Sequence, residues 1–358
     1  MAGLVCAARS RQLGATPLVS EKGDRPGGSM LLSSGVIWRY RTFEDFRREC
    51  PGGDELLQRL VWERLDDALA WLESLGAPVV SRETGNPLTA GWRFDPRGLT
   101  DALARAAGDL RVCTSFEAFA ARSDPGPLVL ATGGFQGDRT LVARHITREP
   151  LALRANAWSA GDGLRFAVER GAELSAGLGE FYGRNMADAD FGERDFVSLA
   201  QLYARHARVV NERGGEFVRE PVAWSETNVV QATARQPGAR AWYVLSESAL
   251  GERVRDRSVR SMVEAARAAG APVVAADQLP FPAPPGAVVA VRVRAAITHT
   301  IGGLRVDERA RVLREGGSLL EGVYAAGVDA GGASTGGYAS GLAQALALGL
   351  VAAEEICN

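Results

Sequence analysis

Lysine is almost absent from this chain. Lys22 is the only one, so the remaining members of its 41 basic residues are arginine. Together with the abundance of alanine, this reads as the mark of a GC-rich genome rather than of a binding function. Cysteine is sparse: Cys6, Cys50, Cys113 and Cys357 are scattered without a C-x-x-C pair. That excludes a disulfide framework and a zinc site, and it suits a reducing cytoplasm. The three histidines, His145, His206 and His299, lie far apart, and no metal site is expected. A net charge of −2 gives no reason to expect nucleic acid or an anionic membrane as a partner. The start at Met1 lacks the basic flank and apolar core of a secretory leader, so none is expected, and the apolar run from Gly341 to Ala353 is too short to span a bilayer. A cytoplasmic location is therefore expected. No P-loop, G-x-S-x-G, H-E-x-x-H or carboxylate pair is present.

Glycine is what the chain has in quantity, and it is placed in loops. Val323 to Ala326 reads as a strand, and a glycine-rich loop from Gly327 to Gly341 follows. Leu342 to Ile356 then reads as an Ala/Leu helix. A strand, a glycine loop and a helix N-terminus hold an anionic or electron-rich group through free N–H groups and the helix dipole. Close packing of a helix on a sheet uses the same small residues.

At the other end, Ala2 to Leu13 reads as a helix and Thr16 to Ser20 as a strand closing on Glu21. This is the second half of a βαβ dinucleotide unit, in which the acid accepts hydrogen bonds from a ribose. Gly3 would be the third glycine of G-x-G-x-x-G, and the preceding strand and two glycines are missing. A start codon assigned too late would produce this. Lys22 to Ser29 reads as a pyrophosphate-facing loop, and Ser33-Ser34-Gly35 as a small-residue segment able to pass close to a flat ring.

Thr42 to Leu75 is expected to be largely helical, with Asp54 as a cap, and Thr84 to Pro96 to be loop. Leu99 to Ala107 is another helix and Leu110 to Thr114 a strand. Pro127 to Ala131 reads as a strand buried on both faces, ended by Thr132-Gly133-Gly134. Asp162, between Gly161 and Gly163, is either an N-cap or a ligand-facing residue. Asn211 to Gly215 reads as a hairpin turn between Ala207–Val210 and Glu216–Val218. Ser258 to Ala269 is an amphipathic helix, and Leu304 to Leu313 a strand running into a turn.

The ordered set Ala2-Gly3, Ser20 to Gly23, Pro26 to Ser29, Ala131 to Phe135, Gly161 to Gly163, Val210-Asn211 with Phe217, Thr298 to Gly303 and Tyr324 to Gly349 resembles the flavoprotein family of fumarate reductases and succinate dehydrogenases. Its wider group includes ketosteroid dehydrogenases and tricarballylate dehydrogenase. The resemblance implies an α/β fold: a divided Rossmann-like FAD-binding domain, residues 1–180 and 297–358, with an inserted α+β capping domain at 181–296. It implies non-covalent FAD as cofactor. Gly3, Glu21 and Lys22 would serve the ADP side, Gly27, Gly28 and Ser29 the pyrophosphate, Ser34 and Gly35 the flavin edge, and Asp162 the adenosine side. Thr132, Gly133, Gly134, Gly327 and Asp329 belong to the matched cofactor motifs. Gly341 and Leu342 would present the last helix to the flavin pyrimidine.

The expected activity is hydride transfer between flavin N5 and a C–C bond next to a carbonyl or carboxyl group of a small organic substrate, with an unnamed electron partner. The catalytic candidates are His299, Tyr338, Tyr182 and Arg184. The departures are specific. Trp224 stands near the place of the fumarate reductases' proton-donating arginine, and residues 327–349 contain no arginine, lysine or histidine. A flavin-binding protein without dehydrogenase activity, or a truncated inactive form, are the alternatives.

Overall fold

The computed structural model describes residues 1–120 and 126–358. The chain divides into two compact units. The first comprises Met1–Leu141, Asn156–Glu180 and His299–Asn358, the second Val142–Ala155 and Phe181–Thr298. The sequence reading began the inserted domain at 181, whereas the segment Val142–Ala155 also belongs with the second unit.

The first unit is mixed α/β. Its opening helix, Ala2–Gln12, buries one turn after another because Ala2, Leu4, Val5, Ala7 and Ala8 are small or apolar. It lies against the last helix, Gly341–Cys357, so closely that a Cβ at Gly349 would meet Ala2 O and Val5 Cγ1, each at 2.9 Å. Leu99 and Leu103 of Pro96–Ala107, Leu65, Leu69 and Leu72 of Glu55–Ser74, and Leu346 and Leu350 of the last helix complete this core. Asp54 caps its helix, accepting from Leu57 N at 3.1 Å. Two parallel pairings run through the unit, Val19–Ser20 with Leu110–Arg111 and Val323–Ala325 with Leu128–Leu130. Arg311–Leu313 adds antiparallel to the second.

Several expected elements come out differently. The strand before Glu21 is only Val19–Ser20, since Pro17 has no N–H to give to a ladder. Leu110–Arg111 is equally short, and Leu128 and Val129 are only half-buried. Thr89–Phe94 is a strand, not loop, and it pairs antiparallel with Val36–Tyr40. Gly91, read as punctuation, is needed there because a Cβ would strike Ile37 O at 2.1 Å. Between 304 and 313 only Arg311–Leu313 forms a strand. Phe116–Ala120 is helical, and residues 121–125, within the short connection before Pro127, lie outside the described residues.

The second unit is organised on the strand Ala287–Thr300, whose alternate valines, Val289, Val291 and Val293, are buried. It pairs antiparallel with Arg240–Ser246 and Val273–Ala275, and parallel with Ala152–Leu153. Val259–Ala268, capped by Ser258, packs Met262 and Val263 onto a core with Tyr203 and Tyr243. Asn211 N donates to Gly215 O, which forms the expected turn, but its second arm is a single bridge at Glu216. Asp188 holds Arg240 at 2.9 Å and Arg292 at 2.7 Å. Among the described residues no helix is long and apolar enough to cross a membrane.

Candidate active site

In the first unit the loops are held together by backbone and by one buried carboxylate. Asp329 is almost fully enclosed, and it accepts from Thr132 Oγ1 and Gly133 N, both at 2.9 Å. Thr132 Oγ1 in turn accepts from Gly163 N at 3.2 Å. One side chain therefore sets the turn at Thr132 and, through it, the start of the helix Asp162–Val168. Burial raises the Asp329 pKa, while the hydrogen bonds from Thr132 and Gly133 pull it back.

Gly133 and Gly134 have φ of 89° and 86°, in the region that favours glycine. A Cβ on Gly134 would lie 2.6 Å from both Thr300 Oγ1 and Val328 Cγ1. Among the described residues, the buried Thr300 Oγ1 and Gln136 Oε1 beside it have no hydrogen-bond partner.

The loop after Val19–Ser20 carries Glu21, whose Oε1 accepts from Gly23 N at 2.7 Å. Trp158, half exposed, leaves Gly23 no room for a side chain, since its Cδ1 is 2.8 Å from where a Cβ would be. Lys22 Nζ reaches Asp162 Oδ2 at 2.8 Å, and Arg165 holds the other oxygen at 2.8 Å. Asp162 is therefore not an N-cap: Gly161 takes that position, and Asp162 is a buried ion-pair residue in the first turn. Gly27 and Gly28 are both left-handed, and Ser29 Oγ accepts from Asn156 N at 3.3 Å. Gly35 serves strand pairing, because its Cβ would strike Phe94 O at 2.0 Å. Ser34 beside it is exposed, and Gly3 lies 3.4 Å, measured from a virtual Cβ, from Ala131 Cβ.

At the last helix, Ser340 Oγ caps Ala343 N. The N–H groups of Gly341 and Leu342 precede the first intrahelical acceptor and point out of the helix. His299 lies against this end, with Nε2 2.9 Å from where a Gly341 Cβ would be. Its Nδ1 faces Thr300 O at 3.0 Å. A carbonyl only accepts, so Nδ1 carries the proton and Nε2 the lone pair. Burial lowers the His299 pKa and keeps the ring neutral at pH 7. The Tyr338 ring is 5.8 Å from that of His299. Gln344, which the sequence reading passed over, ties Gly327 O at 3.0 Å and also Ala330 O. Its signal, an amide one turn into a helix that is otherwise apolar up to Ala353, was available.

Tyr182 and Arg184 belong to the second unit, where the guanidinium lies 5.0 Å from the Tyr182 ring centre. Arg184 donates to Ser225 O. The next residue, Glu226, was not singled out from sequence. It has φ of +54°, is buried, and accepts from Ala204 N at 3.0 Å. Burial pushes its pKa up to about 7, against the opposing pull of Arg184. Among the described residues no group of side chains is arranged to hold a metal ion.

Glycine turns at 27–28 and 133–134, an acid at a strand end and an open helix N-terminus suit an extended ligand with an anionic middle and an electron-rich flat end. The comparisons agree. The FAD binding domain family matches residues 1–120 and 115–342. A probable fumarate reductase of Shewanella frigidimarina, Ifc3, is 22% identical over 416 residues, 92% of this chain and 68% of that protein. The fold is that of the 3-ketosteroid Δ1-dehydrogenase of Sterolibacterium denitrificans, with a TM-score of 0.71, 16% identity, and 99% and 97% of the two chains covered. The open conformation of a flavocytochrome c3 fumarate reductase superposes with a TM-score of 0.69 at 20% identity, over 99% and 76% of the chains. With its loops and its sequence in agreement, the chain belongs to the FAD binding domain family and is an FAD-dependent oxidoreductase.

Proposed function

We propose that the protein moves a hydride between FAD and a carbon–carbon bond next to a carbonyl or carboxyl group of a small organic molecule, with His299 handling the accompanying proton. The observation that carries this reading is His299 lying against Gly341 at the N-terminus of the last helix. The residues present fit the cofactor, because the buried Thr300 Oγ1 and Gln136 Oε1 beside Gly134 have no hydrogen-bond partner among the described residues. FAD, when bound, supplies the hydride acceptor or donor. Gly3 and Glu21 would hold its adenosine side, and Gly27, Gly28 and Ser29 its pyrophosphate. The Gly341 and Leu342 N–H groups and the helix dipole would stabilise negative charge on the ring.

With Nδ1–H given to Thr300 O, neutral His299 presents a lone pair at Nε2. That favours taking a proton from a carbon beside a carbonyl over donating to the carbonyl itself. Tyr338, next to it, would donate to an oxyanion. The absence of arginine, lysine and histidine from 327–349 favours a carbonyl substrate over a dicarboxylate.

The test is anaerobic bleaching of the yellow holoprotein by 4-androstene-3,17-dione, beside reoxidation of the reduced protein by fumarate. Response to either supports the reading, and response to the enone alone supports a carbonyl substrate. Response to neither supports a flavin-binding protein without dehydrogenase activity. His299→Ala should cut turnover by about 10²–10⁴-fold with the flavin spectrum retained, and unchanged turnover removes His299 from the mechanism.

A further inference from the structure

Among the described residues Trp158 is the one exposed aromatic side chain, 48% accessible. Every other ring is buried or half-buried. A single apolar side chain at the surface needs no explanation by itself. The position of this one does.

The turn that carries Trp158 is fixed by its backbone. Asn156 Oδ1 accepts from Trp158 N at 3.0 Å, Ala160 N donates to Trp158 O at 2.9 Å, and Gly137 N donates to Ser159 O at 2.8 Å. Through Asn156 N the same turn reaches Ser29. Its other neighbour is Gly23. Trp158 Cδ1 and Nε1 lie 2.8 and 3.0 Å from the position of a Gly23 Cβ, and Glu21 Oε1 lies 3.2 Å from that same point. The indole therefore stands beside the carboxylate proposed to hold a ribose. Its turn runs from there to the loop proposed to hold the pyrophosphate.

The chemistry of this pair narrows the ligand. A carboxylate accepts hydrogen bonds from hydroxyl groups and repels phosphate. An indole offers a π face on which a neutral aromatic ring stacks. Hydroxyls and a flat neutral ring, joined over a short distance, describe a nucleoside. A ribose whose diol is at Glu21 carries its base within reach of Trp158.

We propose that Trp158 stacks on the adenine of FAD and sets the chain's preference for the dinucleotide over a mononucleotide flavin. This depends on the adenosine side lying at Glu21, as proposed above. ADP, which has the base, the ribose and the pyrophosphate but no flavin, is then a ligand in its own right. FMN, which has no base, takes nothing from Trp158.

Titration of the full chain, freed of flavin, with FAD, ADP and FMN tests this, with tryptophan emission as the readout. ADP should bind the parent chain and quench its emission. Trp158→Ala should weaken FAD and ADP each by about five- to hundredfold, the worth of one base–aromatic stack, and leave FMN unchanged. Trp158→Phe, which keeps a flat ring, should restore most of the ADP affinity without restoring the quench. A tryptophan that only shaped the loop would show no such split. The ring is exposed, so neither variant threatens folding. Equal losses for FAD and FMN, unchanged ADP affinity in Trp158→Ala, or ADP that does not bind the parent chain would each overturn the proposal. Glu21→Gln tells the stacking from the placement beneath it. ADP weakened by Glu21→Gln but not by Trp158→Ala keeps the adenosine at Glu21 and removes the indole, and no response to either variant removes both.

Discussion

The two units build their sites from different materials. In the first, the candidate cofactor loops are made of backbone. Gly134, Gly163, Gly303 and Gly331 are each so tightly surrounded that an added Cβ would lie under 3 Å from a neighbour. Asp329 spends its carboxylate on fixing those turns. In the second unit the charged clusters are made of side chains: arginines around Glu226, and Asp188 between Arg240 and Arg292. A loop built of backbone is all-or-none, since one methyl group strikes a neighbour and bends it. A side-chain site is graded, since each arginine contributes separately and each charge responds to pH.

That contrast can be broken experimentally. Gly134→Ala carries the largest expected effect: FAD affinity, read from flavin fluorescence, should fall by more than about hundredfold, because φ of 86° and two contacts at 2.6 Å oppose it together. Retained flavin would show that the loop yields and that the backbone account is wrong.

Glu226→Gln comes next, and it sharpens the other half. A carboxyl whose folded pKa is raised stabilises the fold below its unfolded pKa of 4.5 and loses that contribution as pH rises through about 7. The glutamine variant should therefore melt higher than the parent at pH 8, by roughly 1–3 kcal/mol, and equal it near pH 4. An advantage that is the same at both pH values would mean that Glu226 stays neutral throughout. Asp329→Asn should weaken FAD about tenfold, because its amide sets a donor against either Gly133 N–H or the Thr132 hydroxyl. Ser340→Ala, the smallest, should cost the last helix about 1 kcal/mol in denaturant unfolding.

The same contrast explains what could be read from the sequence. Glycine turns leave a residue-level trace because no other residue fits, so the loops at 27–28, 132–134 and 327–341 were legible, as was the helix that follows. Capping was legible at Asp54 but not at Asp162, where the adjacent glycine takes the cap and frees the carboxylate for Lys22 and Arg165. The strand Thr89–Phe94 was hidden because Gly91, a loop residue by statistics, there allows two strands to approach. Arg184 was a candidate, but its neighbourhood with Glu226 left no trace, since no spacing rule brings residues 184, 205, 226 and 253 together. Trp158 acts on Gly23, far along the chain, which composition does not reveal.

The scarcity of lysine has a practical consequence. The chain has one side-chain amine, a third exposed, and it sits 2.8 Å from Asp162 in the loop that follows Glu21. An amine-directed dye would therefore mark one internal position, on the adenosine side of the cofactor's expected path, without any engineered residue. Acylation would also cut the Lys22–Asp162 pair and leave Arg165 to hold the carboxylate alone. The rate at which the label goes on, with and without FAD, would report occupancy of that loop directly, independent of colour or catalysis.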